Sequence, residues 1–222
     1  MNRTITVTGT GKLKLRPDYT VVSLSLKAAD MLYDRAMDKA ASQQAQLHKA
    51  LAAVGFAKED LKTTDFQVNT EYESERDQNG NYRQKFAGYC VRHRLKAEFP
   101  LDTAYLSKIL GAISSCIAEP ELDIRFTVRD SNAVNAALLE SACANAKTKE
   151  EILARASGAS LALLLYIDYS FREQDLYSPT RYGAENTHMM KACTAPSSIA
   201  IEPDDIDVSD SVTFVWELCA GD

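Results

Sequence analysis

The sequence has no stretch able to cross a lipid bilayer as a helix. Its longest apolar run, Leu161 to Ile167, falls far short of the roughly 20 residues such a span needs. The first residues, Met1-Asn2-Arg3-Thr4-Ile5, enter an alternating pattern at once, with neither an apolar leader core nor a small-residue cleavage site, so a cytoplasmic location is expected. Cysteine is sparse: Cys90, Cys116, Cys143, Cys193 and Cys219 are scattered, odd in number and contain no C-x-x-C, which suits a reducing compartment better than a disulfide framework. Basic residues are outnumbered, 25 against 31 acidic, giving a formal charge of -6 that repels phosphate backbones and anionic membranes. Neither a nucleic-acid partner nor membrane insertion is expected. Catalytic signatures are missing as well, with no G-x-S-x-G, no H-E-x-x-H and no paired cysteines. The chain is therefore read as a non-enzyme with no catalytic residue, no cofactor and no metal.

What the chain does have is clear periodicity. Between Tyr19 and Ala29, Val22, Leu24, Leu26 and Ala28 alternate with Ser23, Ser25 and Lys27, the signature of a strand with one buried face. Asp30 is placed to cap a helix over 31–54, whose apolar residues Ala36, Ala40, Leu47, Leu51 and Val54 recur at helical spacing until Gly55. Two alternating runs, 65–76 and 82–99, then flank Asn79-Gly80, the dipeptide favoured in tight hairpin turns. If those two residues form the turn, facing positions pair Phe66 with His93, Val68 with Val91, Thr70 with Tyr89 and Tyr72 with Ala87 on one side. The other side pairs Asp65 with Arg94 and Gln67 with Arg92, so both faces match.

Asp102 opens a shorter helix that runs to Cys116, and Leu122, Ile124, Phe126 and Val128 alternate as another strand. A second long helix begins at Asp130 or Ser131 and closes at Gly158. In the next strand, Leu161, Leu163, Leu165, Ile167, Tyr169 and Phe171 share one face, and Leu164 and Tyr166 make the other apolar too, which predicts a central strand. Residues 175–200 show no sustained periodicity and read as a long mobile loop. A last strand carries Val208, Val212, Phe214, Trp216 and Leu218 on one face. The sum is an α+β fold, with antiparallel or mixed sheets packed against two long helices and one shorter helix. Segments 19–74 and 122–171 share a strand-helix-strand plan that suggests an internal pseudo-repeat. The chain is read as a single domain, 1–222, with 1–99 and 100–222 as the alternative lobes.

Each candidate site has a plainer structural reading. Gly9-Thr10-Gly11-Lys12 resembles a phosphate loop, but the first glycine of a P-loop would fall on Thr6, Leu13 stands where its hydroxyl belongs, and Lys14 replaces the third glycine of a dinucleotide motif. The residues after Lys12 continue as strand, so no helix N-terminus receives a phosphate. Paired glycines in an alternating run predict a bulge or sharp bend. His93 and Cys90 are three apart on a strand and point to opposite sides, so they cannot chelate together. His93 is read as a core histidine with a polar partner, and His48 as half-exposed on the first helix. His188, Met189, Met190 and Cys193 offer soft donors of the Cu(I)-holding kind in the 175–200 loop. The acidic stretch Glu202 to Asp210 lacks the glycine and twelfth-position Glu of a calcium loop and reads as a charged strand entrance. Arg83, Lys85, Arg92, Arg94 and Lys96 form a basic stripe whose hairpin partners are acidic or polar.

Taken together, ITVTGTGKLKLRPDYTVVSLSL, Gly88-Tyr89, Ile124-Arg125-Phe126-Thr127-Val128, the alanine-rich helix with Lys147, Lys149 and Leu153, and Ile201-x-Pro203 through Val212 to Leu218 resemble SIMPL-domain proteins. That family includes periplasmic immunogenic proteins and bacterial proteins linked to oxidative-stress tolerance. The resemblance implies an α+β fold and homo-oligomeric assembly, and it supplies no established catalytic residues. The expected activity is that of a homo-oligomeric binding or scaffold protein, with strand edges and the charged hairpin between subunits. The alternative is a small-molecule or soft-metal binder that uses the 175–200 loop as a lid.

Overall fold

A computed structural model describes residues 3–76, 82–184 and 201–220. In chain order the elements are β1 (Arg3–Leu15), β2 (Tyr19–Asp30), α1 (Tyr33–Ala52), a single 3-10 turn (Lys58–Asp60), β3 (Leu61–Arg76), β4 (Tyr82–Pro100), α2 (Thr103–Ser114), β5 (Glu121–Thr127), α3 (Ser131–Ala156), β6 (Ala159–Asp168), β7 (Tyr177–Ala184) and β8 (Ile206–Ala220). By contact the chain divides into two compact units, each assembled from separated stretches of sequence. One comprises residues 1–17, 127–179 and 204–222, and the other 18–126 and 180–203.

The first unit is a three-stranded antiparallel sheet in the order β1-β8-β6, with α3 laid on it. Its apolar centre joins Leu138 of α3 to Leu176, Ile206 and Val208, flanked by Leu13, Leu15, Val128 and Val134. Asp130 caps α3 as its sequence position predicts, its Oδ1 accepting the Ala133 N–H at 2.9 Å.

The second unit holds the five-stranded sheet β3-β4-β2-β5-β7, in which β3, β4 and β2 run antiparallel. Alternation along β2 and β4 sends Val22, Leu24, Leu26, Leu95, Ala97 and Phe99 into one core with Leu47 and Leu51 of α1 and Leu106, Ile109 and Ile113 of α2. Asp102 caps α2 through two N–H groups, Ala104 at 2.9 Å and Tyr105 at 3.0 Å. Asp30 does not cap α1 directly. It ends β2, accepts the Leu32 N–H at 3.1 Å and holds Lys39 at 2.6 Å, so the helix begins at Tyr33, two residues later than its apolar spacing suggests.

The hairpin register agrees with the sequence reading from Asp65 to Glu71. Asp65 faces Arg94, Phe66 faces His93, Gln67 faces Arg92, Val68 faces Val91 and Thr70 faces Tyr89. Beyond Glu71 the register slips by one, and Tyr72 faces Phe86 where the turn-based count gives Ala87. The cause is Gly88, which takes φ 130°, a conformation L side chains avoid, and there an added Cβ would meet the Asp30 carbonyl at 2.6 Å. Asn79 and Gly80 lie outside the described residues.

One further expectation needs correction. Residues 177–184, which the sequence reads as part of a loop, form β7 at the outer edge of the five-stranded sheet, where Arg181 pairs with Asp123 at 2.6 Å. The segment Tyr-Ser-Pro-Thr-Arg-Tyr-Gly-Ala lacks alternation and contains a proline, which an edge strand tolerates. The strand-helix-strand plan shared by 19–74 and 122–171 is present in the element order as β2-α1-β3 and β5-α3-β6, although β2 and β3 lie in one sheet and β5 and β6 in different ones.

Candidate functional site

Gly9 and Gly11 sit in the middle of β1, and β1 pairs with β8 from Arg3↔Leu218 to Leu15↔Ile206 without a slip. This pairing holds no bulge. The glycines instead let a helix backbone approach a strand backbone. A Cβ on Gly9 would lie 2.0 Å from the Ala142 carbonyl oxygen and 2.6 Å from the Ala146 nitrogen, and one on Gly11 2.2 Å from the Leu138 carbonyl oxygen. The matching signal is present in the sequence, since Leu138, Ala142 and Ala146 recur every four residues and all three are fully buried.

That approach closes one border of the sheet. The Thr10 N–H donates to Asn145 Oδ1 at 3.0 Å, and Lys149 Nζ donates to the Thr8 carbonyl at 2.9 Å, so α3 supplies side-chain partners to backbone groups of the β1 edge. The opposite border is β6, which among the described residues pairs only with β8. The sequence predicts a central strand here, and the structure makes it an edge. Leu163 is 68% exposed, Tyr166 60%, and Leu164, Leu165 and Ile167 between 40% and 48%. Register shifts between Leu161 and Leu164 and between Leu164 and Tyr166 break the alternation, which is why apolar residues occupy successive positions. Phe171 and, on α3, Ile152 and Leu153 are exposed as well. A long apolar strand with an uncovered backbone edge is the feature soluble proteins ordinarily avoid.

Within the same unit, Glu150 continues the buried row 138-142-146 and is 4% exposed. Burial, reinforced by Glu151, raises its pKa, while Trp216 and Lys147 pull the other way. Although the indole is near enough to act on the carboxyl, Trp216 Nε1 falls short of hydrogen-bond geometry and is buried without a partner. The native state thus holds its proton more tightly than the unfolded chain. Stability from this group is full below the unfolded carboxyl value and is lost as pH climbs through the raised native one. Glu150→Gln keeps the shape and removes the charge. It is expected to raise the melting temperature at pH 7 and to leave it unchanged near pH 4, each unit of native pKa elevation being worth about 1.4 kcal/mol. Calorimetry at the two pH values checks this.

Residues singled out in the second unit are engaged locally. His93 is 4% exposed, with Nε2 at 2.9 Å from Thr63 Oγ1 and its ring edge-on to Phe66 at 5.1 Å. Cys90 points to the other side, towards Glu71, whose carboxylate holds Lys27 at 3.0 Å. Burial first, then that carboxylate, pushes the Cys90 thiol up, so it stays protonated. The basic stripe is partly neutralised by Arg94–Asp65 at 4.0 Å, Lys96–Glu98 at 2.7 Å and Lys85–Glu75 at 3.1 Å. A row of touching rings, Tyr33, Tyr89, Phe86 and Tyr72, runs along the opposite face of the hairpin.

In the acidic stretch, Asp205 pairs with Lys14 at 3.7 Å and Asp210 accepts the Tyr169 hydroxyl at 3.1 Å. No three His, Cys, Asp or Glu side chains converge among the described residues. His188, Met189, Met190 and Cys193 lie outside them.

Two strand-rich units, one with α3 on its sheet and the other with α1 and α2, and, among the described residues, an exposed apolar β6 edge define an α+β protein. The chain matches the family model SIMPL, described as a protein of unknown function (DUF541), over residues 5–216, and it belongs to that family. No curated protein matches it significantly. Among the described residues, no helix is long and apolar enough to cross a membrane.

Proposed function

We propose that this protein is a non-enzymatic binding or scaffold protein that works as a homo-oligomer, with β6 as the strand that joins one copy to another. The observation that carries this reading is the asymmetry of the first unit's sheet. Side chains of α3 cover the β1 border, whereas among the described residues the β6 border is unpaired and apolar. A second β6 meeting the first antiparallel about a two-fold axis would satisfy the free backbone groups and bring identical apolar residues together.

The magnitudes allow it. Burying a large apolar side chain fully is worth about 1.5–3 kcal/mol, so half-burial of the side chains from Leu163 to Ile167 on both copies yields on the order of 10 kcal/mol. That is comparable to the roughly 4–15 kcal/mol lost in association, and added backbone hydrogen bonds tip the balance. Light scattering on the full chain tests the reading. The expected mass is a multiple of the protomer's, and a protomer mass throughout the micromolar range overturns it.

A further inference from the structure

The hairpin of β3 and β4 outruns the rest of its sheet. β2 stays beside β4 only as far as Asp30↔Tyr89, so among the described residues 71–76 and 82–88 form a two-stranded arm. A ribbon of two strands is marginal in water unless something covers its apolar face. This arm has such a face. Tyr89, packed against Ala28, Ala36, Ala40 and Val91, touches Tyr33 at 5.6 Å and Phe86 at 5.3 Å, and Phe86 touches Tyr72 at 5.9 Å. Tyr82, opposite Arg76, continues the same side of the ribbon two rows further out. The rings of the row thus run from the core onto the arm, and Tyr33, Tyr72, Phe86 and Tyr82 are between 37% and 75% exposed. Met31 and Leu32, just ahead of Tyr33 in the chain, are exposed as well.

We infer that this aromatic face is a second contact between copies of the chain, separate from β6, in which two arms lie face to face about a two-fold axis. Three observations select a second copy as the occupant. Neighbouring rings in the row stand at 73° to 88° to one another, so the patch presents both ring edges and ring faces. Edges attract faces, and a surface that carries both is complementary to itself. Perpendicular rings also offer no flat platform on which a base or a sugar could stack.

The arm is electrically balanced in a molecule that is not. Glu71, Glu73 and Glu75 are matched by Arg76, Arg83 and Lys85, whereas the whole chain has a formal charge of -6. Two copies can therefore meet at this place without mutual repulsion, and a strongly charged partner gains nothing from it. The area suffices too. Burying what the rings, Met31 and Leu32 still expose removes on the order of 500 Å² per copy, or roughly 1,000 Å² in all, the lower bound for a specific contact. The arm contact is accordingly the weaker of the two and shows most clearly once β6 is disabled.

The test is sedimentation velocity from micromolar to millimolar concentration on the full chain carrying Leu163→Lys and Leu165→Lys, with and without Tyr72→Thr and Phe86→Thr. Threonine keeps strand propensity at two exposed positions, and a thermal melt checks that each protein is folded. The expected result is that the β6 variant still forms dimers toward the top of the range and that the arm substitutions weaken them by at least about tenfold. Tyr82→Thr, at the most exposed ring, is expected to weaken them about two- to fivefold without touching the core. A β6 variant that stays a protomer up to millimolar concentration, or dimers that ignore both sets of arm substitutions, overturns the inference. Association that ignores the lysines and is abolished by the arm substitutions supports the arm contact and overturns β6 as the joining strand.

Discussion

Gly9→Ala is expected to disrupt the first unit, and a melt followed by the fluorescence of the chain's single tryptophan, Trp216, should show a much lower midpoint or no folded baseline. The added methyl would sit 2.0 Å from the Ala142 carbonyl oxygen and 2.7 Å from the Ala146 Cβ, and backbone atoms cannot turn aside as a side-chain tip can. Relief requires α3 to retreat from β1. Retreat strains the Thr10–Asn145 and Thr8–Lys149 bonds and opens space around Leu138 and Val7, both now buried. Inserting one carbon into a packed core costs about 1–3 kcal/mol, and a clash with two helical backbone atoms belongs at or above the top of that range. Against a typical total stability of about 5–15 kcal/mol the loss is large. Gly111→Ala in α2 is the internal control, because nothing lies within 4 Å of the position a Cβ would take. It is expected to stabilise by up to about 1 kcal/mol through helix propensity alone.

The second large effect concerns assembly. The double variant Leu163→Lys, Leu165→Lys is expected to weaken self-association by at least about 100-fold, or roughly 2.7 kcal/mol, while leaving the protomer folded. Each substitution occurs on both partners of a two-fold contact, so four ammonium groups would have to be desolvated where leucines now stand. Because the two leucines are 68% and 48% exposed in the protomer, their replacement should change its own stability by no more than about 0.5 kcal/mol. Sedimentation velocity alongside a thermal melt separates the two quantities.

Legible in the sequence was whatever short-range geometry dictates. The hairpin register from Asp65 to Thr70 and the aspartate caps at Asp102 and Asp130 obey pairing and capping rules that act within a few residues. The rest depended on which element lies on top of which. Two apolar faces on β6 look the same whether neighbours bury both or neither does, so a central strand and a bare edge share one pattern. Gly9 and Gly11 likewise suit a bulge or a close approach, and only the position of α3 decides. Tyr72 misses its expected partner because Gly88, several residues from Asn79-Gly80, absorbs one position.

Backbone hydrogen exchange along β6 bears most directly on strand-to-strand assembly. The outward-facing amides between Leu161 and Ile167 are predicted to be protected in wild-type protein at micromolar concentration and to lose that protection in the double lysine variant. Rapid exchange of those amides in the wild type, unchanged by the lysines, would contradict the account.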